Sequence, residues 1–164
     1  MDPAHPQPSS WDDPGVRSVA TAGLGFLLAV LWMDLMFDRL AGRTHGPTLP
    51  EPALDEITRY YRRVTTEARP MGTLVALVMA VTLSALIAQG LATEPTVALL
   101  VATFSTGGAV ILAATRTVRS ARRLGAGQDD PSRRSRIARE IRRDHILCFA
   151  AITVALLCEL AGTR

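Results

Sequence analysis

Residues 70–115 read PMGTLVALVMAVTLSALIAQGLATEPTVALLVATFSTGGAVILAAT, and Glu94 is the one formally charged side chain among them. A helix rises about 1.5 Å per residue, so roughly 20 apolar residues cross about 30 Å of hydrocarbon. Two such passes fit here, 70–89 and 95–115. Pro70 suits a first helical turn and Gly90 a stop. The five residues between the passes, GLATE at 90–94, are too few for anything but a tight hairpin, so the two helices are antiparallel neighbours.

The same reading extends outward in both directions. Upstream, an apolar run from Val19 to Met33 predicts a helix over 16–39 with a span at 18–38, provided Asp34 is tolerated about one turn inside the membrane edge. Downstream, Asp130 followed by Pro131 is a good N-cap and first-turn pair, predicting one continuous helix from Pro131 to about Leu160. Its first half is Arg-rich. Its second half, 145–161, is a short fourth span whose flanking residues must snorkel or whose bilayer must thin. The fold class is therefore all-α, an integral membrane four-helix bundle. Residues 1–15, with four Pro, read as a flexible tail that is not a cleavable signal, and 16–164 as a single four-span domain.

Two long connections, 39–69 and 116–143, complete the chain. The first opens as loop (Gly42, Gly46, Pro47, Pro50, Pro52) and continues as a short helix over about 53–67. There Leu54, Ile57, Tyr61 and Val64 recur at helical spacing among Asp55, Glu56, Arg59, Arg62 and Arg63. That pattern predicts an amphipathic helix lying flat at headgroup level.

Charge sets the orientation. All 18 basic residues are Arg; six fall in 39–69 and ten in 116–143. The positive-inside rule then puts both connections in the cytoplasm and both termini outside the cell membrane. A net charge of +3 does not point to nucleic acid, because the Arg residues lie between apolar segments where orientation already accounts for them. The partner they imply is the lipid bilayer itself, with anionic headgroups at the Arg-rich connections.

Packing has its own signal. Gly72, Ala76, Ala80, Ser84 and Ala88 form a small-residue line at every fourth position, and Ala98, Ala102, Thr106, Val110 and Ala114 repeat the spacing on the next span. Small residues let backbones approach closely in lipid. The expectation is that spans two and three pack on each other through these lines; the alternative is a contact between copies in a homo-oligomer.

Polar residues at the cytoplasmic level carry the chemistry. Asp34 and Asp38 lie four apart on one helical face. Glu67 and Arg69 begin span two, Arg116 and Arg119 follow span three, and Asp144 and His145 begin span four, with Tyr60 and Tyr61 on the helix nearby. Asp34, Asp38, Glu67 and His145 are the oxygen and nitrogen donors that hold a divalent metal cation, although HExxH and paired ExxH spacings are missing. The competing reading pairs Asp34 with a guanidinium, from Arg69 or Arg116. Glu159, level with Gln89 near the outer end of span four, is a second candidate acid. Cys148 and Cys158, ten residues apart on one helix, stand roughly 15 Å apart and cannot form a disulfide there.

Three functions fit these residues. One is a cation- or proton-binding protein, acting in transport as an oligomer. The second is a membrane-embedded enzyme working on a lipid or quinone-like substrate, for which Asp34, Tyr61, Glu67 and His145 would converge; no nucleophile triad is present, so whether the chain is an enzyme stays open. The third is a structural or accessory subunit of a membrane complex.

Overall fold

The computed structural model describes residues 14–42, 46, 48–67 and 69–162, with the side chains of Pro14 and Arg69 outside that description. The predicted tail therefore lies outside it, apart from Pro14 and Gly15. All regular structure among the described residues is helical: α1 (Pro14–Gly42), α2 (Glu51–Arg62), α3 (Arg69–Ala92), α4 (Val97–Leu112), α5 (Val118–Ala126) and α6 (Pro131–Ala161). π-helical turns at Arg63–Glu67 and Ala113–Thr117 follow α2 and α4, and the second carries α4 into α5 without a break.

Local chemistry explains the boundaries. The Thr96 hydroxyl accepts from the backbone N–H of Leu99 at 3.2 Å and caps α4. Asp130 caps α6 as its residue type predicts, its Oδ1 accepting from the N–H groups of Ser132 (3.0 Å) and Arg133 (3.1 Å). Gly127, at φ 67°, ends α5 in the left-handed conformation that glycine adopts without steric cost.

Four helical stretches are long and apolar enough to cross a membrane: Gly15–Gly42, Pro70–Ala92, Val97–Ala126 and Pro131–Ala161. They suggest a multi-pass membrane protein. Large apolar side chains such as Leu77, Leu91, Phe104, Ile111, Leu147 and Leu157 point outward along them, an apolar surface that a protein in water could not leave uncovered. The helices run up-down-up-down. α1 packs on α6 and α3, and α4 on α6 and α3, while α1 stands diagonal to α4 and α3 to α6. The core between them is built largely of small and branched residues: Ala20, Leu24, Leu86, Ala102, Ala109, Ile152 and Ala155.

One expectation is corrected here. The small-residue line of α3 does not face α4. Gly72, Ala76, Ala80 and Ser84 are exposed or only half-buried, and α3 turns Val75, Val78, Thr82, Ala85 and Leu86 inward instead. The close approach lies between α1 and α3, where a Cβ on Gly23 would sit 2.0 Å from Thr82 Oγ1. The helix at 51–62, expected as an amphipathic helix, turns its apolar stripe onto protein. Leu54, Ile57 and Tyr61 are buried against protein, in a second core with Ala41, Leu49, Ala121, Leu124, Ile137, Ala138 and Ile141. This core sits at the Arg-rich end, beyond the four-helix core, and covers the ends of the long helices. α2 and α5 cross backbone to backbone: a Cβ on Gly125 would lie 2.8 Å from the amide nitrogen of Arg62. The loop before α2 is tied to α6 by Ser135, whose Oγ accepts from the Leu49 N–H at 3.0 Å, and by Arg139, which donates to the Gly46 carbonyl.

Candidate functional site

The junction between the two cores is where the polar residues meet. On α1, the spacing of four that puts Asp34 and Asp38 on one face turns both toward α6 and α2. Asp38 is the deeper, 1% exposed; the Asp34 side chain is 20% exposed. On α6, His145 faces α1 while the preceding Asp144 faces the π turn after α4. On α2, Tyr61 belongs to the buried stripe and Tyr60 to its rim, where the Tyr60 ring stacks on Phe37 with centroids 4.0 Å apart.

Each carboxylate has a phenol. Tyr61 donates to Asp38 Oδ1 at 2.7 Å, and Tyr60 to Asp34 Oδ1 at 2.5 Å. The second oxygen of Asp38 lies 2.6 Å from His145 Nδ1, and the second oxygen of Asp34 lies 3.9 Å from His145 Nε2. With Asp38 ionised the carboxylate only accepts, and the hydrogen of the shorter contact then belongs to Nδ1. That leaves Nε2 as the free ring position, facing Asp34. In that state both ring nitrogens face a carboxylate, Nδ1 toward Asp38 and Nε2 toward Asp34.

Sequence reasoning and geometry part company at several residues. Asp34, Asp38 and His145 do come together. Glu67 does not join them: it is exposed at the end of the first π turn. Among the described residues no three His, Cys, Asp or Glu side chains are placed to hold a metal ion. Asp34 is partnered by a phenol rather than by Arg116, which pairs with Asp144 at 3.4 Å; the Arg69 side chain lies outside the described residues. Asp144, buried, also accepts from Thr117 Oγ1 at 3.3 Å. Residue type alone does not mark Thr117, because the π turn that presents it adds a residue to the helical repeat. At the other end of the bundle Glu159 is 3% exposed, and Arg17 covers it: Arg17 Nη2 donates to the Glu159 carbonyl at 2.9 Å, with Nε 4.0 Å from the carboxylate. Gln89 stands beside it, as its level on α3 predicts.

The tyrosines outside the spanning helices give the site a measurable signature. Burial, and then the charge of the neighbouring carboxylate, raises both Tyr60 and Tyr61 well above the ordinary value near 10. A raised phenol favours the folded state while it stays protonated. Its stabilisation is complete below about pH 10 and declines as pH rises past that value. The chain has two tyrosines, so its phenolate absorbance reports only these. In an alkaline titration the phenolate signal should be absent at about pH 10.5 and appear together with the loss of helical circular dichroism. Phenolate formation in a protein of unchanged helicity near pH 10 would place both rings in water.

Comparison with protein families, with curated proteins and with solved structures finds no match for this chain.

Proposed function

We propose that this is a multi-pass membrane protein with its Arg-rich end in the cytoplasm and both termini outside. Its functional centre is a proton-binding site in which His145 takes up and releases one proton between Asp38 and Asp34. The observation that carries this reading is the setting of the imidazole: Nδ1 is held by Asp38 at 2.6 Å and Nε2 faces Asp34 at 3.9 Å. A second proton on Nε2 would sit between two carboxylates, the arrangement that best tolerates an imidazolium away from water. Asp38 and the two phenols orient the ring, and Asp34, the less buried carboxylate, is the point of exchange.

The site opens to one end of the bundle. Between it and the Arg17–Glu159 pair the interior is filled by Leu24, Leu86, Ile152 and Ala155, all buried. Within one chain the proton therefore binds and leaves at the cytoplasmic face. Movement across the bilayer would be a property of an oligomer. A second reading, acid–base catalysis on an amphipathic substrate, is favoured by one feature: Trp32, Met33, Met36 and Phe37 form an exposed apolar surface beside Asp34. In that reading Nε2 is the general base and the substrate arrives from the lipid side.

Nitrogen-15 spectra of labelled histidine test the proposal, in a His5→Gln, His45→Gln background where His145 is the remaining imidazole. As the pH is lowered, Nδ1 should keep its hydrogen throughout while Nε2 alone gains one. Asp38→Asn should release the lock and give mixed tautomers. A neutral ring protonated on Nε2, or a ring that never titrates, would overturn the assignment. Divalent cations should leave the melting temperature unchanged; a rise that requires both Asp34 and Glu67 would establish the four-residue metal set instead.

A further inference from the structure

We propose that the cleft between α4 and α6 binds one acyl chain of an anionic phospholipid, whose phosphate is taken by Arg143 and Arg116 at the cleft's cytoplasmic mouth. The cleft has a volume of about 240 Å³, and α6 contributes Leu147, Cys148 and Ala151 to it rather than His145. It exists because small residues stand between large ones. Gly108 and Ala151 leave the gap, and Phe104, Leu112 and Leu147 form its walls. A Cβ added at Gly108 would meet nothing within 4 Å. The lining is apolar apart from the Ser105 hydroxyl, and the Cys148 thiol is turned onto the Ala109 carbonyl at 3.7 Å. An apolar cleft opening toward hydrocarbon takes an alkyl chain.

Charge at the mouth selects the headgroup. One helical turn beyond Leu112 comes Arg116, and one turn before Cys148 comes Asp144; the two form an ion pair at 3.4 Å at the end of the cleft where Arg116 stands. One turn before Leu147 is Arg143, exposed and without a partner among the described residues. Asp144 engages Arg116 through Nε, and no other partner of this guanidinium is seen among the described residues. Two guanidinium groups above an apolar cleft match a phosphodiester above its acyl chain. A choline headgroup would bring a cation to the same place, and a soluble phosphate would leave the cleft unused.

The test is lipid titration of the full chain in mixed micelles, read by melting temperature and by lipid retained in native mass spectra. Phosphatidylglycerol should stabilise the protein more than phosphatidylcholine, and glycerol phosphate should do nothing. Arg143→Gln, a change of an exposed side chain, should weaken the phosphatidylglycerol effect about fivefold, at about 1 kcal/mol per basic residue. Gly108→Leu should fill the cleft and reduce retention of both lipids. Arg59→Gln, an equal change of charge on the exposed side of α2, should leave binding as it was. Equal stabilisation by the two lipids would overturn the proposal. So would phosphatidylglycerol binding that survives both Arg143→Gln and Gly108→Leu, or a glycerol phosphate effect as large as that of the lipid.

Discussion

Replacing Asp38 by Ala is expected to destabilise the protein by about 3–5 kcal/mol in detergent, more than any other single change in the polar layer. Asp38 is 1% exposed and accepts from two buried groups, Tyr61 Oη at 2.7 Å and His145 Nδ1 at 2.6 Å. Its removal strands both donors where water does not reach them, and the full desolvation cost of each appears as lost stability. Asp34→Asn is the comparison. Asp34 is partly open and its amide can still accept from Tyr60, so the loss should be closer to about 1 kcal/mol. Denaturant titrations of the two variants would separate them. Equal losses would mean that Asp38 is hydrated and that the His145 setting is not what the geometry shows.

The second large effect is steric. Gly23→Leu should cost about 3 kcal/mol, the upper part of the range for overpacking. Its Cβ would begin 2.0 Å from Thr82 Oγ1 and 3.1 Å from Thr82 Cβ, and the β-branched side chain has little rotamer freedom with which to retreat. Ala80→Leu, on the exposed line of α3, should stay within about 0.5 kcal/mol in the isolated chain. Pairing Gly23→Ala with Thr82→Ala should restore much of what Gly23→Ala loses alone, because the two changes share one contact. If Ala80→Leu proved the more damaging variant, the α3 line would be a buried interface after all, between copies of the chain.

Gly23 and Ala80 mark the line between what residue order makes legible and what it leaves open. The span count, the uninterrupted α6 and the Asp130 cap follow from local signals: apolar length, a capping residue and a first-turn proline. The helix contacts do not. An Ala-rich chain offers several small-residue lines, and the long one on α3 is more conspicuous than the lone Gly23, although close approach at a crossing needs only one small residue. The stripe of Leu54, Ile57 and Tyr61 says that one face of α2 is covered, and lipid or protein would satisfy it equally. Its cover comes from Ala121, Leu124, Ile137 and Ile141, distant in the chain. The same limit applies to the site. Asp34, Asp38 and His145 are readable as polar residues at one level, but which oxygen meets which nitrogen depends on how α6 is rotated against α1. Glu67 shares their level and not their direction.

The second core has a consequence for the order in which the protein is made. α2 ends at Arg62, whereas its partners begin at Val118 on α5 and Pro131 on α6. While the chain emerges, α2 therefore exists with an uncovered apolar stripe for as long as two further spans take to be synthesised and inserted. During that interval the stripe lacks Ala121, Leu124, Ile137 and Ile141, the residues that cover it in the finished fold. The Tyr61–Asp38 and Tyr60–Asp34 pairs join α1 to α2, both made early, whereas His145 arrives only with α6. The polar layer is thus completed by the last span, and a nascent chain that stops short of α6 carries its two aspartates without the ring that links them.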